Sequence, residues 1–473
     1  MFCQLDTLRQ CLPSSVRPTL EQLPESLDET YERIVVDIKK ANKGQAYRML
    51  QCLAVAIRPL FVSELAELLA FDFTTTNTAK GGIPELNPNW RWQDQEQAVL
   101  STCSSLITIV GSGGFGVVQF SHFSVKEFLM SDRLAMSTNS ISRYHIVFEN
   151  ANTLVAKACL SVLLRDPIDK NGAETATLAQ YAAEHWVAHA QVGSVASHVR
   201  DGMQNLFDPH KPYFSAWIEL DDIYPHHWSP ITDSKIQIEA TPLYYAAFCG
   251  FHELVEHLAS KYPQYTNAIC GHAGTALHSA SDAGQVQVVR TLLKCGAEVD
   301  ARGVGNQPPL MLASFNGHVD TVQCLLDHGA DPNLQIDRHC TALTHAAENH
   351  HLETIRTLLA HNADVNVKDN NDRTPLYTAL WYGNSNPDFQ LVRLLLKHGA
   401  NPNARDNKRQ ISLHLVSSSP YLDLPLKLEV ARILLSHGAD VDAEDAEGMT
   451  PAQIALARGE AELAQLFSKF CSK

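Results

Sequence analysis

The sequence has little positive charge: 37 lysines and arginines stand against 52 aspartates and glutamates, a formal net charge of −15. This balance argues against non-specific binding to nucleic acid or anionic lipid, because both need a basic surface. Long apolar runs are missing too. The longest apolar stretch, residues 50–73, contains Arg58, Glu64, Glu67 and Asp72 and cannot form a membrane span. We therefore expect neither a nucleic-acid partner nor a membrane partner.

Paired cysteine motifs are also lacking. The 11 cysteines are scattered, and no CxxC pair occurs, so neither a disulfide framework nor a zinc finger is indicated. The N-terminal segment MFCQLDTLRQ carries polar residues where a signal peptide needs an apolar core. Together these features predict a soluble protein of the cytoplasm with reduced thiols, and they leave the nucleus open.

What the sequence does contain is an internal repeat over its C-terminal half. Four units follow one another at a constant spacing of 33 residues, and three further units are diverged. The first residues of the seven units are Thr241, Thr275, Pro308, Thr341, Thr374, Ile411 and Thr450. The period and the T-P-L-H-x-A opening resemble the ankyrin repeat, which implies a solenoid of helix pairs.

Local chemistry supports the same interpretation. Thr caps the first helix, Pro suits its first position, and the Gly after it permits a left-handed turn. One unit cannot bury its apolar face alone, so neighbouring units must stack. Insertions at 384–387 and 420–425 are expected between the two helices of their units. The last unit has polar residues on the outer face, which is typical of a capping repeat.

Upstream of residue 241 the pattern changes. Helical spacing from 27 to 56, the amphipathic segment VSELAELL at 62–69, and strand-like segments at 106–110 and 117–123 follow in order. Two helices followed by a β-hairpin indicate a winged-helix domain. We predict a mainly α protein with a helical lead and winged-helix domain at 1–135, a helical connector at 136–235, and ankyrin repeats at 241–473.

Four segments of this half carry a second resemblance. They are LPESLDETYERI (23–34), LQCLAVAIRPLFVSELAELLAFDF (50–73), VLSTCSSLITIV (99–110) and VVQFSHFSVKEFL (117–129). They resemble fungal NACHT–ankyrin proteins, in which a winged-helix domain of the GPI inositol-deacylase type follows an NTPase. The resemblance implies such an NTPase as a partner domain. No G-x-x-x-x-G-K-[ST] occurs in the chain, so we expect the NTPase to be absent from it.

One glycine-rich stretch, GSGGFGVV at 111–118, satisfies the pattern of a protein-kinase phosphate loop. A kinase would also need a lysine on the next strand and the H-R-D and D-F-G motifs. The next lysine, Lys126, lies in a capping box that begins a helix, and the two motifs do not occur. We therefore interpret this stretch as the tip of the wing hairpin.

Other candidates for chemistry are equally weak. His252 and His257 are five residues apart on a helix, too far round it to bind one zinc ion. His185 and His189 are four apart, but no third ligand is identifiable. The candidate recognition helix at 98–105 has no basic residue for DNA. We predict no enzyme activity, no cofactor and no metal site.

A recognition surface remains. In ankyrin arrays the finger turns and the first helices line the concave face, and the two positions before the repeat glycine point into it. Aromatic residues at these positions are candidate anchors, although they could instead pack on a neighbouring repeat. The predicted partner-binding residues are Phe248, Asp282, Phe315, Asn316, Glu348, Asn349, Trp381 and Tyr382 in the groove, with Arg338, Asn371 and Lys408 at the finger tips.

The sequence therefore predicts a non-enzymatic interaction or sensor module of an NLR-like NACHT–ankyrin signalling protein, whose partner is a protein of unknown identity. The alternative is a substrate adaptor or scaffold for another enzyme complex. An F-box or SOCS-box-like segment would favour this alternative, and none is recognisable.

Overall fold

The computed structural model describes residues 26–77, 82–103, 105–111, 116–137, 141–165, 176–220, 241–271, 273–336, 339–381 and 389–470. The chain divides into two compact units, with the boundary between Thr232 and Asp233. None of the helices in these ranges is both long enough and apolar enough to cross a bilayer.

The first unit combines helices with short strands. In chain order its elements are α1 (Leu27–Asp37), α2 (Lys43–Val55), β1 (Leu60–Phe61), α3 (Val62–Leu69), β2 (Phe71–Asn77), β3 (Ile83–Leu86), α4 (Gln95–Cys103), β4 (Ile107–Val110), β5 (Val117–Phe120), α5 (Phe123–Leu129), α6 (Asp132–Ala135), α7 (Phe148–Leu163), α8 (Ala176–Ala190), α9 (Val195–His198), α10 (Arg200–Leu206) and α11 (Tyr213–Leu220). The helical pattern predicted from 27 to 56 is interrupted between α1 and α2.

The winged-helix assignment is confirmed by the strand pairing. Strands β4 and β5 form an antiparallel hairpin in which Val110 pairs with Val117, and β1 joins the other edge of β5. The glycine-rich stretch therefore connects two paired strands, as a wing tip does; residues 112–115 lie outside the described residues. A second hairpin, β2–β3, was not predicted.

The helical segment that follows packs on the winged-helix elements. Helix α7 contacts α2 and β3, and α8 contacts α3. Ser161 Oγ donates to the Pro84 carbonyl at 2.7 Å, and the Tyr181 hydroxyl accepts from the Ile57 amide at 3.4 Å. Arg165 of the same segment lies 3.5 Å from the buried carboxylate of Glu67. The described helices and strands from α1 to α11 thus share one core, built by helices that pack across strands distant in sequence.

The second unit is a solenoid of seven helix pairs, as predicted. The pairs are α12 (Pro242–Phe248) with α13 (His252–Lys261), α14 (Ala276–Asp282) with α15 (Val286–Lys294), α16 (Pro309–Phe315) with α17 (Val319–Asp327), α18 (Ala342–Glu348) with α19 (Leu352–Ala360), α20 (Pro375–Trp381) with α21 (Phe389–Lys397), α22 (Ser412–Ser418) with α23 (Leu424–Ser436), and α24 (Pro451–Ala457) with α25 (Ala461–Ser468).

The pairs stack in sequence order, first helix on first helix and second on second. The glycines after α12, α14 and α16 are required by this stacking, whereas His350 holds the left-handed position after α18, with φ +57°. Gly284 has φ +69°, and a Cβ there would lie 2.7 Å from the His318 ring of the next repeat.

Of the two predicted insertions, 420–425 lies between α22 and α23 and extends into α23, whose first turn is capped by Asp423. The insertion at 384–387 lies outside the described residues.

Candidate interaction surface on the first helices and fingers

Most first helices are held at the N-terminus by side chains that the repeat motif supplies; α16, preceded by Pro308, has no such side-chain cap. Thr241 Oγ1 accepts from the Tyr244 amide at 3.3 Å. His278 Nδ1 accepts from the Thr275 amide at 3.1 Å, and its Nε2 donates to the Gln307 carbonyl at 2.9 Å. Burial lowers the pKa of His278 to about 4, so the imidazole is neutral in this position. The motif histidine therefore joins one repeat to the next.

A second set of side chains joins the repeats where each second helix leads into its finger. At four junctions an asparagine amide donates to a carbonyl of the next repeat while its oxygen accepts from an amide there. The four residues are Asn267, Asn333, Asn366 and Asn403. At the junction between the second and third repeats Asp300 takes this place, and its carboxylate only accepts, from the Asp331 amide at 3.2 and 3.3 Å.

The fingers themselves are shaped by buried aspartates. Asp406 Oδ1 accepts from the Lys408 and Gln410 amides at 2.9 and 2.7 Å, and Asp369 and Asp445 make the same pair of bonds. Neighbouring fingers are tied by backbone bonds, including the Asn407 amide to the Asn371 carbonyl at 2.9 Å. The predicted finger residues Asn371 and Lys408 are exposed. Their side chains lie on rigid turns, which suits recognition.

The predicted groove residues of the second to fourth repeats form a connected strip. Asn316 Nδ2 donates to Asp282 Oδ1 at 2.9 Å, which links two repeats. The adjacent Phe315 side chain is 40% exposed, and its ring lies edge-to-face against His345 with centroids 5.8 Å apart. His345 Nδ1 lies 3.8 Å from Glu348 Oε2.

The remaining groove predictions vary in exposure. Phe248 is half-buried and Asn349 is exposed. Cys249, which precedes the glycine of the first repeat, is only 4% exposed, so the prediction that both positions before the repeat glycine point into the concave face is wrong in the first repeat. The thiol is small and apolar enough to be packed in the core. The side chain of Trp381, all of Tyr382, and Arg338 lie outside the described residues.

Sequence reasoning missed His345. Its side chain is 16% exposed, and neither ring nitrogen has a hydrogen-bond partner among the described residues. Buried polar atoms in proteins are nearly always bonded, so an exception requires an explanation. No sequence signal marks it, because the histidine follows Thr344, which occupies the usual motif position and supplies the capping interaction instead.

Of the four histidines weighed as metal ligands, His189 has structural bonds through both ring nitrogens. His189 is buried between the Tyr181 hydroxyl, 2.9 Å from Nε2, and Asn152 Oδ1, 2.7 Å from Nδ1. Burial lowers its pKa to about 4. His252 begins α13, the second helix of the first repeat. Within the ranges that the structure describes, no three His, Cys, Asp or Glu side chains are arranged to hold a metal ion.

Comparisons with known proteins agree with this architecture. The family model for ankyrin repeats matches residues 226–303, 310–406 and 385–472, together more than half of the chain. The model for the winged-helix domain of GPI inositol-deacylase matches residues 31–140.

Individual relatives are more distant. Azaphilone pigments biosynthesis cluster protein L of Monascus ruber is 31% identical over 301 residues, which are 59% of this chain and 61% of that protein. The chain thus aligns with less than two thirds of that relative's length. Among solved structures, the ankyrin repeat domain of Bcl-3 is 27% identical with a TM-score of 0.43, covering 48% of this chain and 99% of that one. An ankyrin repeat domain from Acinetobacter baumannii AYE is 33% identical with a TM-score of 0.38, covering 42% and 98%.

Stacked repeats of this kind present an extended concave surface to a partner, and ankyrin repeats serve as protein–protein interaction modules. Because the ankyrin family model matches more than half of the chain, the chain belongs to the ankyrin-repeat proteins.

Proposed function

We propose that this chain is the sensor half of an NLR-like NACHT–ankyrin signalling protein and binds a protein ligand through the concave face of its solenoid. The observation that carries the proposal is the order of parts: a winged-helix domain matched by the GPI inositol-deacylase model precedes seven stacked ankyrin pairs. In this arrangement the solenoid recognises the ligand, and the winged-helix unit passes the event to an NTPase domain.

We further propose that the chain itself catalyses no reaction. Support comes from the state of its reactive side chains. Burial raises the pKa of Cys52 and of Cys103 to about 12, so their nucleophilic thiolates are not formed at neutral pH. The buried histidines His189 and His278 use both ring nitrogens in structural bonds. Neither is available as a general base.

A scaffold that assembles enzymes of one pathway is the second candidate. The name of the Monascus ruber relative, which refers to a pigment biosynthesis cluster, favours it. The two functions differ in the partner: an NTPase domain and a foreign protein for the sensor, biosynthetic enzymes for the scaffold.

The test is affinity capture of partners by the full chain, compared with the variant Trp381→Ala, Tyr382→Ala. Loss of central aromatic anchors costs at least about 2 kcal/mol of binding, so capture should weaken at least about 30-fold. Gln390→Ala on the second helix of the same repeat is the control. An unchanged partner set, with unchanged melting temperature, would contradict binding through the concave face.

A further inference from the structure

The sheet of the winged-helix domain has two edges that differ in how they are protected. In the strand order β1–β5–β4, strand β1 forms one edge and β4 forms the other. Strand β1 has two residues and follows Pro59, and both a very short strand and a proline are common means of protecting an edge. Strand β4 has four residues, Ile107–Val110, with no proline and no bulge in its pairing with β5. The edge formed by β4 therefore lacks these protections.

The pairing with β5 shows which backbone groups of β4 face the open edge. The Ser121 amide donates to the Leu106 carbonyl at 2.9 Å, so these two residues form a hydrogen-bonded pair of the antiparallel ladder. Such pairs alternate along a ladder, so the N–H and C=O groups of Ile107 and Ile109 point away from β5. No described strand pairs with β4 on that side. Ile107 is 2% exposed and Ile109 is half-buried, so Ile109 is the more accessible of the two.

The β4 edge is also apolar and uncharged. Val110 is 50% exposed. No Asp, Glu, Lys or Arg occurs between Glu96 and Lys126, although the whole chain has a net charge of −15. Open edges in natural sheets usually carry charged side chains that prevent pairing. Two copies of an acidic chain repel each other, and an uncharged edge lowers the cost of their approach.

We propose that β4 pairs with β4 of a second copy of this chain, antiparallel about a two-fold axis, so that the sheet continues from one molecule into the next. Two identical antiparallel strands form a symmetric contact, which closes as a dimer. With Ile109 on the axis, its N–H and C=O bond the C=O and N–H of Ile109 in the second copy. Val110 then lies opposite Thr108 of the second copy and diagonal to Val110 of the second copy.

The chemistry of an open strand edge selects this kind of occupant. Another extended segment supplies backbone donors and acceptors at the spacing that the edge requires. A second β4 does so without placing like charges opposite each other. Because a pair of four-residue strands is a small interface, we expect a weak dimer with a dissociation constant on the order of 100 µM. Pairing through β4 is independent of ligand binding by the solenoid, since it uses the first unit alone.

The experiment measures the mass of the full chain by sedimentation velocity at protein concentrations below and above that value. We expect the chain to change from monomer to dimer as its concentration rises. Hydrogen exchange of peptides that cover residues 106–111 gives an independent measurement. Exchange should slow at the higher concentration, because the Ile109 amide becomes hydrogen-bonded in the dimer.

The main variant is Val110→Lys, which places two lysines diagonally across the axis and should weaken the dimer about tenfold. The matched control is Val36→Lys, which adds the same charge at an equally exposed valine on α1. It should leave the dimer unchanged. Both variants make the chain less acidic, so weakening by Val110→Lys alone locates the contact at the β4 edge. Mixing Val110→Lys with Val110→Glu should restore the dimer, because opposite charges then face each other across the axis.

A second variant tests the backbone directly. Ile109→Pro removes an N–H that makes no bond to β5, and proline is tolerated on an edge strand at such a position. We expect this variant to stay monomeric at all concentrations, with an unchanged circular dichroism spectrum.

Three results would overturn the proposal. A wild-type chain that stays monomeric at every concentration would leave the edge for a strand of another protein. A dimer weakened equally by Val110→Lys and Val36→Lys would show that the effect of lysine is not specific to the edge. A dimer insensitive to both Val110→Lys and Ile109→Pro would be formed by another surface. Each of these results would leave ligand binding by the solenoid untouched.

Discussion

Replacing Asp300 by asparagine should stabilise the solenoid. At the four equivalent junctions, an asparagine both donates and accepts, with distances of 2.9–3.2 Å for the donated bond and 2.7–3.0 Å for the accepted one. The carbonyl in register with Asp300 is that of Gly329, 29 residues on, as Gly296 is 29 residues after Asn267. An ionised carboxylate cannot donate to it.

The magnitude follows from one hydrogen bond gained. A typical intramolecular hydrogen bond contributes about 0.5–1.5 kcal/mol, so Asp300→Asn should add about 1 kcal/mol at neutral pH. Burial, with a smaller contribution from Asp331, raises the pKa of Asp300 above its usual value. A carboxyl whose pKa is raised by folding is destabilising once pH rises through the folded pKa. The gain should therefore shrink on acidification, when protonated Asp300 can donate.

Hydrogen exchange measured by mass spectrometry on peptides from α15 and α17 is the assay, because it reports the solenoid separately from the first unit. A gain of about 1 kcal/mol slows exchange roughly fivefold. The reciprocal variant Asn333→Asp should speed it, since it removes the donor to the Asn362 carbonyl and adds a carboxylate near Asp364. Asp320→Asn is the charge-matched control. Unchanged or faster exchange in Asp300→Asn would refute the reasoning.

Three further predictions can be checked with the same protein. Burial lowers the pKa of His278 to about 4 from the 6.5 of an unfolded chain. The contribution of His278 to the free energy of unfolding is therefore fully present above pH 6.5, and about 3 kcal/mol of it is lost as the pH falls from 6.5 to 4. His278→Gln, which copies the cap that Gln453 makes with the Thr450 amide, should reduce that pH dependence in urea unfolding; an unchanged dependence would exclude His278 as its source. The fragment 241–473 should unfold cooperatively, and Leu325→Ala within it should cost about 2–5 kcal/mol because Leu325 is fully buried; a non-cooperative melt would contradict an independent solenoid. Calorimetry should detect no binding of ATP or GTP, and micromolar affinity abolished by Gly113→Val would disprove the wing-tip interpretation.

The repeats could be located from sequence because their signals are local. A threonine cap, a proline at the first turn and a glycine after the helix each fix backbone conformation within a few residues. The wing was predictable for the same reason, since alternation over 117–123 is a property of one segment. The β2–β3 hairpin had a similar local signal in FDFTTTN, which is rich in aromatic and β-branched residues, although it was not predicted.

Other features could not be predicted because they depend on contacts between distant segments. The packing of α7 on β3 through Ser161 and Pro84 joins residues 77 positions apart. The burial of Cys249 also depends on such contacts, and so does the lack of hydrogen-bond partners for the His345 ring nitrogens among the described residues. In the repeat alignment, Cys249 and Asn349 occupy the same column, yet one is buried and the other exposed.

The same column also shows that groove positions are not all free for recognition. Asn316 donates from one amide group to Asp282 Oδ1, to the Asp282 carbonyl and to the Leu312 carbonyl, at 2.9, 3.2 and 3.2 Å. Replacing it would disturb the contact between two repeats, so a loss of binding there would be ambiguous. Phe315 has no such structural bond through its side chain, and Asp282→Asn keeps the oxygen that Asn316 needs. Variation in ligand specificity is therefore expected first at Phe315 and at the charge of Glu348, where a change alters the surface with the smallest effect on stacking.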